Sequence, residues 1–66
     1  MMLKDRLKKM REEHGLSQAA LADRLHVTRQ AVSKWENGTS DPSTVNLLAL
    51  AKLYGVSADE LLREVQ

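Results

Sequence analysis

The chain has 66 residues, with ten lysines and arginines against nine carboxylates, no cysteine or phenylalanine, one tryptophan and one tyrosine. A chain of this length forms one domain at most, and it hides only about 60% of the surface its unfolded form exposes, so its core must be economical. The lack of cysteine excludes disulfides and thiolate metal sites, no apolar run approaches the roughly 18 residues of a membrane span, and the basic start lacks the apolar core of a signal peptide.

Glycines stand where helices should stop. Leu3, Leu7 and Met10 recur at helical spacing, so Leu3 to His14 reads as a first helix ended by Gly15. Ser17 is a candidate N-cap for a second helix, Gln18 to Leu25, with Leu21 and Leu25 on one face and Ala22 beside them. Thr28 offers the next cap, and the third helix, Arg29 to Asn37, turns Val32 and Trp35 inward and Arg29, Gln30, Ser33 and Lys34 outward before Gly38.

Pro42 keeps Asp41 out of the helical region, so the break after Gly38 is well specified. Ser43 caps a fourth helix carrying Leu47, Leu48, Leu50, Ala51 and Tyr54 up to Gly55. Trp35 and Tyr54 read as core, the tyrosine hydroxyl reaching solvent or a partner. Ser57 and Glu60 form a capping box for a fifth helix with Leu61, Leu62 and Val65. No segment alternates with period two for long, so the expected fold is all-α, five helices in a single domain over residues 1–66.

The junction between the second and third helices is the most informative stretch. So short a turn forces a steep crossing, Ala20 and Ala22 allow close approach, and Val27 and Val32 plug the corner. The third helix then stands out from the body with its N-terminal residues leading, the docking geometry of a helix-turn-helix, here over about residues 17–37. Arg29 and Lys34 can donate to guanine and Gln30 can pair with adenine, while Gln18 and Thr28, at helix starts, suit a phosphate oxygen. Charge is polarised too: Lys4, Arg6, Lys8, Lys9 and Arg11 crowd the start, and Asp41, Asp59, Glu60 and Glu64 weight the end.

Gly15-Leu16-Ser17-Gln18-Ala19-Ala20-Leu21-Ala22, followed by Val27 to Gly38, resembles the phage-repressor (Cro/repressor-type) helix-turn-helix family. Pro42-Ser43 to Leu53 and Gly55 to Leu62 resemble its fourth and fifth helices, so the likeness runs from about Leu3 to Leu62 without gaps. The resemblance implies a compact five-helix domain that binds double-stranded operator DNA as a two-fold homodimer. It implies that Gln18 holds a phosphate, that Thr28, Arg29, Gln30, Ser33 and Lys34 face the groove, and that Asn37 and the Thr39-Ser40 loop clamp the backbone. It also implies an Arg11–Glu36 pair that fixes the third helix and aims the arginine at a phosphate. Many helix-turn-helix sequences carry glycine where His26 stands; histidine is tolerated at positive φ at some cost in strain.

Of the basic run from Lys4 to Arg11, only Arg11 is expected to touch DNA. His14 is exposed near the end of the first helix. Leu61, Leu62 and Val65 cannot all face one small core, so Leu62 or Val65 belongs to a dimer contact. His14 and His26 lie apart from any ligand cluster, so no metal, cofactor or small-molecule ligand is expected. No dyad, glycine loop or deep pocket supports catalysis. The location read from the sequence is the cytoplasm, and Met1 and the clean finish of the fifth helix read as a complete small regulator. The alternative is a protein-interaction or antitoxin-type module of the same shape, which should place apolar or acidic residues where Arg29, Gln30 and Lys34 stand.

Overall fold

A computed structural model describes residues 2–62, and these form five helices: α1 (Leu3–Glu13), α2 (Gln18–Leu25), α3 (Arg29–Asn37), α4 (Thr44–Tyr54) and α5 (Ala58–Leu62). No strand occurs among the described residues. The first helix stops one residue earlier than its periodicity suggests, with His14 closing it. Val65 lies outside the described residues.

Three corners are built alike. Each begins with a left-handed residue, continues with an apolar residue and ends with a hydroxyl: Gly15-Leu16-Ser17, His26-Val27-Thr28 and Gly55-Val56-Ser57. In each, the amide of the apolar residue donates back to a carbonyl five residues earlier: Leu16 to Arg11, Val27 to Ala22 and Val56 to Ala51, at 3.1, 3.0 and 2.9 Å. These bonds satisfy carbonyls that a helix end leaves free, and they fold Leu16, Val27 and Val56 down onto the core. The hydroxyl then starts the next helix. Ser17 accepts from Ala20 at 3.0 Å, Thr28 from Ala31 at 3.1 Å and Ser57 from Glu60 at 3.0 Å. The amide of Ser57 in turn donates to the Glu60 carboxylate at 3.4 Å, completing the capping box. The α3–α4 connection is longer, and its cap is Ser43, which accepts from Asn46.

The core draws on every helix: Leu7 and Met10, Leu21 and Ala22, Val32 and Trp35, Leu50, Ala51 and Tyr54, and Leu61. Leu21, Val32, Leu50 and Leu61 are the most completely enclosed. Burying a leucine fully contributes about 1.5–3 kcal/mol, so so small a set holds the domain with little margin. Packing is densest between α2 and α3 and next between α1 and α3, while Arg29, Gln30, Lys34 and Asn37 of α3 stay exposed.

Two side chains depart from the sequence reading. Leu48 is 55% exposed and lies near Val45, which is 76% exposed. α4 is apolar nearly all round, yet the core covers the side that carries Leu47, Leu50, Ala51, Leu53 and Tyr54 and leaves Val45 and Leu48 exposed. The Tyr54 hydroxyl is buried away from solvent and has no hydrogen-bond partner among the described residues. Leu62, at 39% exposure, lies outside the core as the count of apolar positions in α5 requires.

His26 has φ 58° and ψ 42°, the only non-glycine residue with positive φ among those described. A side chain there costs roughly 1–2 kcal/mol, from which glycine's extra freedom in the unfolded chain must be subtracted. His26→Gly should therefore stabilise the fold by about 0.5–1 kcal/mol in urea titrations. A loss of stability would show that the imidazole makes up for its backbone strain.

Candidate nucleic-acid interface

α3 presents an outer face made wholly of polar residues. With about 100° of turn per residue, Arg29, Ser33, Asn37, Gln30 and Lys34 fall within an arc of about 140°, and Val32 and Trp35 occupy the opposite side. Arg29, Gln30, Lys34 and Asn37 are exposed and Ser33 is half-buried. The side chains of Arg29, Gln30, Ser33 and Lys34 make no hydrogen bond or ion pair among the described residues. Thr28 is exposed at the start of the same helix. Its oxygen accepts the Ala31 amide, and its own O–H remains to donate.

Behind this face a single carboxylate ties three helices together. The Arg11 Nε on α1 donates to Glu36 Oε2 on α3 at 2.7 Å, and Arg11 Nη2 donates to Glu36 Oε1 at 3.0 Å. Gln18 Nε2 on α2 donates to the same Oε1 at 3.2 Å. Arg11 Nη1 reaches the Leu16 carbonyl in the first corner at 2.7 Å. Arg11 is only 8% exposed, and three of its five N–H groups have partners within the fold. Hydrogen bonding to Glu36 raises its pKa against the opposing cost of burial, so the guanidinium stays charged.

At the far end of α3, Asn37 Oδ1 accepts from the Thr39 amide at 2.9 Å and from the Thr39 hydroxyl. Both residues are exposed. The Asn37 amide nitrogen keeps its two N–H groups for other acceptors. The structure thus brings the residues singled out from the sequence into three neighbouring groups. Gln18 and Arg11 meet at Glu36, the side chains of Arg29, Gln30, Ser33 and Lys34 with Thr28 line the outside of α3, and Asn37 bonds Thr39 beyond it. Sequence reasoning missed the Gln18–Glu36 and Arg11–Leu16 bonds. The first joins positions 18 apart, for which no periodicity gives a signal. The second ends on a backbone carbonyl, which carries no residue identity at all.

Tyr54 lies beside this network. His14 is exposed, as its place near the end of α1 suggests, and its ring stands over Tyr54 with centroids 4.8 Å apart; its Nδ1 lies 2.8 Å from the Met10 carbonyl. Burial first, and the charge of Glu36 second, push the Tyr54 phenol up to about 12, with Arg11 pulling the other way. Among the described residues no group of histidine, cysteine and carboxylates is placed to hold a metal ion, and no helix is long and apolar enough to cross a membrane.

A family model described as "Helix-turn-helix" matches residues 7–61, and the chain belongs to that family. It is 44% identical over 62 residues to the SPbeta prophage-derived uncharacterized HTH-type transcriptional regulator YonR of Bacillus subtilis strain 168, across 94% of this chain and 57% of that protein. It is 39% identical over 62 residues to the HTH-type transcriptional activator BcrR of Enterococcus faecalis, across 94% of this chain and 30% of that one. The chain therefore spans little more than half of the first relative and under a third of the second. Among solved structures, the P22 c2 repressor in complex with synthetic operator 9T matches with a TM-score of 0.85 at 34% identity, covering 92% of each chain.

Removing one member of a buried ion pair leaves the other charge uncompensated. Glu36→Ala should cost about 3–5 kcal/mol in thermal or urea unfolding, and Arg11→Met/Glu36→Leu should cost less than the sum of its two single changes. Additive losses would mean that the pair is not coupled.

Tyr54 gives a pH signature. Its phenol ionises near 10.0 when unfolded and near 12 when folded, so its contribution is intact below pH 10 and falls as the pH rises from 10 toward 12. In urea titrations, wild type should lose up to about 1.4 kcal/mol per pH unit more than Tyr54→Phe across that window. At neutral pH Tyr54→Phe should be at least as stable as wild type, because it removes a buried hydroxyl with no hydrogen-bond partner among the described residues. Parallel alkaline losses would refute the assignment.

Proposed function

We propose that this chain is a sequence-specific DNA-binding transcription regulator that inserts α3 into the major groove of an operator. The observation that carries the reading is the outer face of α3. Arg29, Gln30, Ser33 and Lys34 make no side-chain hydrogen bond among the described residues, while the other side of the helix is pinned through Glu36 and Trp35. Polar groups left free on a rigidly held helix suit base edges, because the geometry is set before DNA arrives. The roughly 12 Å groove of B-DNA admits one such helix.

In this reading Arg29 and Lys34 donate to guanine acceptors and Gln30 forms a paired contact with adenine, with Ser33 between them. Gln18, held by Glu36, directs its remaining N–H at a phosphate at the start of α2. Thr28 donates its free O–H to the backbone or a base edge. The Asn37–Thr39 turn grips the backbone beyond α3, and Arg11 adds one of its unused N–H groups.

One copy measures 26 × 24 × 22 Å, less than the roughly 34 Å between successive major-groove faces of B-DNA. Two copies related by a two-fold axis would present two α3 helices to a pseudo-palindrome, and the exposed Leu62 on α5 is the side chain we assign to their contact. The protein acts in the cytoplasm, where its operator is. We assign repression as the outcome, since a domain seated on an operator that overlaps a promoter blocks polymerase without further parts.

Selection from random-sequence duplexes at fixed salt tests the proposal, with Arg29→Ala and Gln30→Ala run beside the wild type. Wild type should enrich a pseudo-palindrome. Each variant should lose about 1–3 kcal/mol of preference at one or two base pairs while keeping its melting temperature. Gln18→Ala should weaken all sequences about equally. A folded wild type that enriches nothing would overturn the reading and favour a protein partner.

A further inference from the structure

The backbone-facing residues of this interface are short of charge. Gln18, Thr28, Asn37 and Thr39 are neutral donors, and the guanidinium of Arg11 is matched by Glu36 at 2.7 Å. Affinity for duplex DNA comes largely from cations that displace condensed counterions from phosphates. A positioning set with no net charge supplies little of that term, and the two cations of the outer face, Arg29 and Lys34, are assigned to bases, so further cations are to be sought on the same side of the molecule.

Two contacts fix which flank of α1 runs beside α3. At one end Arg11 binds Glu36. At the other the Lys4 side chain lies across Gly38, its Cδ 3.1 Å and its Nζ 3.9 Å from where a Cβ on that glycine would stand. Lys4, Lys8 and Arg11 follow one another at i, i+4 and i+7, so all three share this flank. Gly38 stands between Asn37 and Thr39, which bond each other, so the Lys4 ammonium sits next to the turn proposed to grip the backbone. Asp41 lines the same cleft, and Lys4 forms no ion pair with it among the described residues. Lys8 is exposed.

We propose that Lys4 and Lys8 form a row of phosphate contacts along α1, joining the Asn37–Thr39 turn to the Gln18 end of the interface. The proposal rests on the DNA-binding reading above and differs from the expectation that Arg11 alone of the basic run touches DNA. The lysines provide sequence-independent, salt-sensitive affinity, and the neutral donors set register.

The test is fluorescence anisotropy on a mixed-sequence duplex between about 50 and 200 mM salt. It compares wild type with Lys4→Met, Lys8→Met and the double variant. Methionine keeps an apolar stem over Gly38 and removes only the charge. Lys9→Met, exposed on another flank of α1, is the control. Each of the two substitutions should lower the slope of log affinity against log salt by about one. Across that fourfold salt range the wild type then loses about twelvefold more affinity than the double variant. Melting temperatures should be unchanged, and Lys4→Arg should keep the wild-type slope. Slopes equal to that of the Lys9→Met control would overturn the proposal. So would weaker binding by Lys4→Met at an unchanged slope with a lower melting temperature, which would make Lys4 a prop for the Gly38 turn. A wild type with no affinity for any duplex would remove the parent reading as well, and it is distinguished by the wild-type curve alone.

Discussion

The Glu36 carboxylate is the constraint on which the rest of the structure depends. One oxygen pair receives Arg11 from α1 and Gln18 from α2 while itself belonging to α3, so three helix axes are referred to a single point. Burying an ion pair is expensive, and its attraction alone seldom returns the desolvation cost. Here extra hydrogen bonds reduce that cost, and the Leu16 carbonyl draws the first corner into the same network. The gain lies in angle more than in stability. Apolar packing by Val32 and Trp35 holds α3 against the body, but leucines and valines tolerate small rotations about a helix axis. A bidentate carboxylate does not.

That division of labour accounts for what the sequence discloses and what it withholds. The helix ends at the three short corners were legible because each is marked locally, by a left-handed residue and a hydroxyl two positions apart. The inward residues Leu7, Leu21, Val32 and Leu50 follow from helical spacing alone. Leu48 was not legible, because α4 is apolar nearly all round and no periodicity says which side meets the core. The unpaired Tyr54 hydroxyl and the Gln18–Glu36 bond depend on how helices far apart in sequence are stacked, which no local pattern encodes. The Arg11–Glu36 pair lay beyond periodicity too, and came from family resemblance alone. The seat of Lys4 on Gly38 was invisible for the same physical reason: it is a contact between the first turn of α1 and the loop after α3.

The two faces of α3 answer to different demands. Glu36, Val32 and Trp35 point inward and are tied to the fold, whereas the side chains of Arg29, Gln30 and Lys34 bond to none of the described residues. Changing the outer residues leaves packing, caps and the buried network intact. The same scaffold can therefore carry many different outer faces, consistent with similar proteins of unlike roles, an activator and a repressor among them.

The repeated corners have a consequence for how the chain finds its structure. Each one is closed by hydrogen bonds that reach back no more than five residues and by a hydroxyl cap that reaches forward three. Chain reversal is thus specified before distant segments meet, and little loop-closure entropy must be overcome to bring successive helices together. Chains dominated by such short-range contacts fold in microseconds to milliseconds. Emerging from a ribosome, this one can form its turns in the order in which they are made.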